Sequence, residues 1–144
     1  MKDFVSTARS FLENLDCTCA VWGKDFSFTS NHRGVAPLLE LLDASQCCQG
    51  FFAADKVVGK ATALLYALLG VQAVYARVAS QPAATVLAQH GITLVYDRIV
   101  PYIQNRSGTG MCPMEEATRD IFQPEQALAA IRKRLSELQN KNNG

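Results

Sequence analysis

No stretch of this chain reaches the ~18–20 apolar residues that a membrane-spanning helix requires. The opening M-K-D-F-V-S-T-A-R-S-F-L carries charges where a signal peptide needs an unbroken apolar run. These two absences lead to the expectation of a cytoplasmic protein with no membrane partner. There is no basic excess: 14 Lys and Arg stand against 13 Asp and Glu, a net charge of +1. Too little positive charge remains to neutralise a phosphate backbone, which excludes duplex nucleic acid as the main partner. Chelating C-x2-C turns are also missing. The five cysteines, Cys17, Cys19, Cys47, Cys48 and Cys112, form C-x-C, C-C and one isolated residue. Cys17 and Cys19 are expected on one face of a strand. An odd number of cysteines in a cytosolic chain reads as buried, reduced thiols, with no metal and no cofactor.

What is present suits a compact protein. The chain is 49% hydrophobic and 19% charged, with a mean hydropathy of +0.03, and its 144 residues suffice for one core. One domain over 1–144 is expected, without internal repeats or low-complexity segments.

The segment Ala53–Val78 reads as a helix followed by a strand, with few polar residues. Val57, Val58, Ala61, Leu64, Leu65, Leu68 and Leu69 wrap more than one face, so this helix must be covered on several sides. Asp55 is the expected N-cap, its carboxylate accepting from the amides of Val57 and Val58, and Gly70 suits the left-handed C-terminal position. Lys56 and Lys60 are the anomaly. Four apart in the opening turns, each adds a cation to the positive end of the helix dipole, at a cost of about 0.3–1 kcal/mol. An anion nearby would offset it.

Around this unit the chain reads in order. Lys2–Leu15 puts Phe4, Ala8, Phe11, Leu12 and Leu15 on one stripe of a first helix. Asp16–Trp22 and Phe26–Thr29, separated by Gly23, Lys24 and Asp25, form an antiparallel hairpin. A helix follows to about Ser45, with Pro37 in its first turn. Gly50–Ala54, Val71–Val78 and Ile92–Tyr96 are apolar runs without clean alternation, as in strands buried on both faces of a parallel sheet. Ser80 caps the helix between the last two, with Pro82 in its first turn and Gly91 past its end. Tyr66, Tyr75 and Tyr96 are expected in the core. Short right-handed crossovers then give a three-layer α/β/α sandwich. Beyond Pro101 lies a glycine-bearing loop and helix over 105–123, then an amphipathic helix over 124–139. Its stripe of Leu128, Ile131, Leu135 and Leu138 packs on its own domain or serves a homodimer.

The segments A-A-D-K-V-V-G-K-A (53–61), G-V-Q-A-V-Y-A (70–76) and N-R-S-G-T-G-M-C-P-M-E (105–115), in that order, resemble an uncharacterised prokaryotic family, a domain of unknown function with a cytidine-deaminase-like fold. The resemblance implies a five-stranded mixed sheet with the first strand antiparallel. Zinc deaminases hold their metal with an H-x-E or C-x-E motif on one helix and P-C-x-x-C on another. Here His32 is followed by Gly34 where the catalytic glutamate would stand, and no cysteine occupies the second helix start. Both metal and proton shuttle are lost. Hydrolytic deamination is rejected on those residues.

A crevice between two helix starts remains the candidate site. At the carboxyl ends of parallel strands, helix N-termini favour anions. Asp55, Lys56, Gly59 and Lys60 border one side, with His32, Arg33 and Gly34 opposite. The expected occupant is a small anionic or nucleotide-like ligand. The G-K-A at 59–61 is not a P-loop, since the earlier glycine and the magnesium-binding Ser/Thr are absent. Asn105, Arg106 and Glu115 join the candidate set, and closure of their segment over residues 55–60 would unite it. The plainer alternative makes Lys56 and Lys60 snorkelling side chains, with Gly59 present only for close packing. Cys112 supports a second class, a thiol-dependent transferase. A thiol at a helix start near Arg106 has reason to ionise and act as a nucleophile, although no base is evidently paired with it. Its structural alternative is a half-buried cap, with Glu115 answering the helix dipole.

Overall fold

The structure, a computed structural model, describes residues 2–14, 16–105 and 107–143. Helix α1 (Lys2–Asn14) precedes a hairpin of β1 (Cys19–Gly23) and β2 (Phe26–Ser30), then α2 (Ala36–Asp43). Two strand–helix units and a further strand follow: β3 (Phe52–Val58), α3 (Lys60–Leu69), β4 (Ala73–Ser80), α4 (Gln81–Gln89) and β5 (Thr93–Val100). Two helices end the chain, α5 (Pro113–Ala117) and α6 (Pro124–Asn143). The sheet order is β2-β1-β3-β4-β5. β1 runs antiparallel to both neighbours, while β3, β4 and β5 are mutually parallel. This is the five-stranded mixed α/β sheet expected from the sequence. The hairpin closes through Lys24 and Asp25, and Asp25 adopts the left-handed conformation at φ 63° that short polar side chains tolerate.

Two cores flank the sheet. The smaller lies under α1, where Phe4, Ala8 and Leu12 meet Ala20, Ala54, Ala73 and Tyr75. The larger joins α2, α3, α4 and α6 to the opposite face. Cys17 belongs to the first and Cys19 to the second. The two thiols thus do not share a face, because the regular strand begins only at Cys19 and Cys17 lies outside its alternation. Ala53 and Val58 both enter the larger core although they differ in parity, so β3 changes face between Asp55 and Val58, leaving Val57 43% exposed.

Helix α3 is the centre of the larger core, with eight of its ten residues buried. Its inner face meets the sheet and its outer face is covered by α6. Ile131 is fully buried, and Leu128, Leu135 and Leu138 pack against the same core. That stripe is therefore spent within the domain, where Arg132 also pairs with Asp43 of α2 at 2.6 Å. Gly70 ends α3 at φ 84°. Ser80 closes β4 and caps α4, its hydroxyl accepting from the Ala83 amide at 3.2 Å.

The beginning of α3 differs from expectation. Asp55 is not its cap but lies within β3, opposite Ala76, and the ladder continues through Val57↔Val78 and Val58↔Ala79. The Asp55 carboxylate does accept from the Val57 amide, at 3.3 Å, but within a strand. Cross-strand pairing wins over local capping because β4 offers partners for the whole of 52–58. The helix starts at Lys60, with Gly59 as N-cap, so Lys56 and Lys60 do not share a helical face. Among the described residues no helix is long and apolar enough to cross a membrane.

Burying a leucine fully contributes about 1.5–3 kcal/mol, and truncation adds the cost of a cavity. Leu64→Ala, at a fully buried site on α3, should lower the unfolding free energy by about 2–5 kcal/mol in urea titrations at constant m. Half-buried Leu138→Ala on α6 should cost under about 1 kcal/mol.

Candidate functional site

The amides that open α3 face a carboxylate supplied from elsewhere in the chain. Cys112, Pro113, Met114 and Glu115 are spaced as a capping box, in which the acid at the third helical position normally reaches back to its own N-cap amide. Here the Cys112 amide instead donates to the Ile103 carbonyl at 2.9 Å. Glu115 is free to reach α3. It is 5% exposed, and its carboxylate accepts from the backbone amides of Lys60 and Ala61. A Cβ on Gly59 would overlap that carboxylate and lie 3.0 Å from Ile103. Glycine at 59 is thus a requirement of close approach.

Lys60 completes the contact. It is 6% exposed, its Nζ donates to the Arg119 carbonyl at 2.8 Å, and it lies 4.4 Å from the centroid of the Phe122 ring. Burial lowers the Lys60 pKa while Asp120 and Glu115 oppose that shift. Burial raises the Glu115 pKa, against the pull of the two amides and of Lys60. The cation that looked misplaced at a helix N-terminus is countered by the chain's own acid.

Below this cluster lies a second buried acid. Asp55 accepts from the Tyr66 hydroxyl at 2.8 Å through one oxygen and from the Val57 amide through the other. The Cys19 thiol is 3.4 Å from the same hydroxyl. Burial pushes the Asp55 carboxyl up from 3.8 to about 7, and hydrogen bonds from Tyr66 and the backbone recover only part of the loss. Tyr66 and Cys19 are both held well above their ordinary values, first by burial and then by Asp55. The network stores a proton near neutrality, and its thiol is not a nucleophile. Sequence reading took Tyr66 for a core residue and missed that its hydroxyl serves Asp55. The available signal was an aspartate inside the apolar run F-F-A-A-D.

The remaining candidates are more dispersed. His32, Arg33 and Gly34 are exposed ahead of α2, whose N-cap is Val35. The Thr18 hydroxyl donates to the His32 carbonyl, and the Lys56 amide donates to the Thr18 carbonyl at 3.0 Å. Thr18 therefore links the loop residue His32 to Lys56 of β3. Asn105 closes the glycine-bearing loop on itself, its side-chain oxygen accepting from the Thr109 amide at 3.0 Å and the Ser107 hydroxyl at 3.1 Å. Arg106 lies outside the described residues. Cys112 is half-buried at the N-cap of α5, and among the described residues no imidazole or carboxylate hydrogen-bonds its thiol. No group of three or more His, Cys, Asp and Glu side chains among them is placed to hold a metal ion. On the α1 face, Arg9 bonds Asp97 at 2.9 Å and Tyr75 at 3.3 Å, and Tyr75 and Arg9 hold Asp97 below the usual carboxylate range.

The chain has recognisable relatives. A family model described as a domain of unknown function, DUF1893, matches residues 7–135. Among solved structures, a DUF1893 family protein from Thermotoga maritima superposes with a TM-score of 0.82 at 28% identity, over 95% of this chain and 91% of that one. The apo dCMP deaminase of cyanophage S-TIM5 gives a TM-score of 0.46 at 15% identity, over 66% of this chain and 94% of that one. No curated protein matches.

Two outcomes follow from the buried acids. The folded Asp55 keeps a proton that the unfolded chain releases, so its contribution to stability is complete below about pH 4 and is lost as pH rises towards 7. The span corresponds to roughly 4 kcal/mol, and Glu115 adds a slope of the same sign. Asp55→Asn should flatten the pH dependence of unfolding between 4 and 7, measured by denaturant midpoints. Gly59→Ala should destabilise by about 1–3 kcal/mol through overlap with Glu115. The same change in a Glu115→Ala background should cost much less, a coupling that a double-mutant cycle would read.

Proposed function

The chain belongs to the DUF1893 family, whose description as a domain of unknown function supplies no activity, and we propose from its geometry a cytoplasmic binding domain for a small anionic or nucleotide-like ligand. The start of α3 is the recognising element. One observation carries this reading: two backbone amides already hold a carboxylate, with the Lys60 ammonium acting on it through its charge, in a place where burial disfavours that carboxylate's charge. Glu115 is then the resident occupant of an anion site. A ligand phosphate or carboxylate takes its place when the short α5 and the loop before it move aside.

The position within the fold supports the reading. The α3 start follows the carboxyl end of the parallel strand β3, the end at which open α/β sheets bind ligands. Lys56 and the His32–Gly34 turn, linked through Thr18, stand near that end of β3 and offer the rest of the ligand cationic and backbone partners. Among the described residues Cys112 has no paired base, so binding accounts for these residues better than thiol transfer does.

Competition makes the reading testable. Inorganic phosphate and a nucleoside monophosphate panel, titrated calorimetrically, should bind Glu115→Ala at least about tenfold more tightly than the wild type, the equivalent of 1.4 kcal/mol. Lys60→Met in the same background should abolish that gain. Absence of binding to a folded Glu115→Ala variant would sink the proposal.

A further inference from the structure

Apolar surface around the start of α3 narrows what its ligand carries besides a negative charge, an inference that rests on the anion site proposed above. Among the described residues the exposed large hydrophobic side chains are Val57, Tyr96, Ile99, Tyr102 and Phe122. Tyr96 and Ile99 lie on the edge strand β5, where the exposure of Tyr96 corrects its expected place in the core. The other three border one helix start. Val57 precedes Gly59 by two residues, and Tyr102 adjoins Ile103, whose side chain would lie 3.0 Å from a Cβ at position 59. The centroid of the Phe122 ring is 4.4 Å from Lys60 Nζ. Exposed apolar side chains scattered singly are ordinary, but a group of them around a charge-binding position calls for an apolar partner.

Phe122 is the most exposed of them, at 62%. Its exposure is not that of a loose segment. On one side Ile121 packs against the larger core, and its amide donates to the carbonyl of fully buried Thr118 at 3.1 Å. On the other side Pro124 opens α6, and the Gln123 carbonyl accepts from the Ala127 amide at 3.1 Å. The ring is thus held from both ends, with the Lys60 ammonium over it and most of its surface open to water. A fixed, exposed aromatic ring is a stacking platform, and it accepts any base because every base has a π face. Lys60 connects this ring to the anion site. Its backbone amide, with that of Ala61, holds the Glu115 carboxylate, while its side chain ends at Phe122. Anion site and ring are therefore separated by little more than one lysine side chain, within reach of a ring carried on a sugar phosphate.

We infer that the ligand taken up at the start of α3 is a phosphate monoester carrying a planar heterocycle, the chemistry of a nucleoside 5′-monophosphate. Its phosphate lies on the amides of Lys60 and Ala61, and its heterocycle stacks on Phe122. An inorganic anion satisfies the amides but leaves the neighbouring apolar side chains in water. A planar ring covers them, and being rigid it loses little conformational freedom in doing so. The Lys60 ammonium serves both halves of the ligand, as the counter-charge of the phosphate and as the cation beside the aromatic ring.

Calorimetric titration of the full chain carrying Glu115→Ala, with inorganic phosphate, ribose 5-phosphate and the 5′-monophosphates of adenosine and cytidine, tests this. Both nucleotides should bind roughly five- to a hundredfold more tightly than ribose 5-phosphate, the gain that stacking of one base supplies. Phe122→Leu in the same background should abolish that preference, and Phe122→Trp should keep or raise it. Because ligands are compared within each variant, an effect of the substitution on Lys60 or on folding cancels. Ribose 5-phosphate that binds as tightly as the nucleotides overturns the stacked ring and leaves the anion site standing. A nucleotide preference that survives Phe122→Leu overturns it equally. Failure of every phosphate to bind a folded Glu115→Ala chain overturns both the ring and the site.

Discussion

Backbone amides at the start of a buried helix must find an acceptor, because water does not reach them. In this chain the acceptor is Glu115, and much of the later sequence is arranged around that need. Gly59 removes the side chain that would block it. Pro113 opens the short helix α5 on which the acid is carried, and Ile103 takes the Cys112 amide that a local capping box would otherwise have bound to the acid. Lys60, turned under Phe122 and bonded to the Arg119 carbonyl, balances the charge. One carboxylate thus joins the end of β3, the start of α3 and the segment after β5. The last third of the chain closes on the core through it.

Asp55 shows the same physics without a cation to balance it. Its partners are a tyrosine hydroxyl and backbone amides, so burial prevails and the carboxyl keeps its proton close to neutral pH. The pair of acids differs in what opposes desolvation: backbone amides and then the charge of Lys60 for Glu115, hydrogen bonds alone for Asp55. Cys19 and Tyr66 are drawn into the second arrangement and lose reactivity there. The packing of α3 on the sheet is consequently sensitive to pH from two sides, one above the helix start and one beneath it.

Sequence patterning reached most of the scaffold. The order of helices and strands, the hairpin turn at Lys24 and Asp25, the Ser80 cap and the Gly70 terminus were all legible, because each depends on periodicity or on the conformational preference of one residue, while the mixed sheet was what the family resemblance implied. The need of α3 for cover on several sides was also legible from its apolar wrap. The beginning of that helix was not. Asp55 has the chemistry of a cap, and only the parallel partner offered by β4 keeps residues 55–58 extended. The placement of Tyr96 failed for a related reason: an apolar residue in a strand looks the same whether the strand is interior or at the edge.

The amino-acid sequence by itself determined the elements and their faces, since the spacing of apolar side chains and the dihedral limits of Gly, Pro and Asp act over a few residues. It also determined the lack of the deaminase ligand set, which residue identity alone decides. Tertiary structure decided which acid meets which amide. The partner of Glu115 lies more than fifty residues away, and the capping-box spacing around it points to the nearer amide. Only the approach of α5 to α3, made possible by a missing side chain at Gly59, selects the distant one.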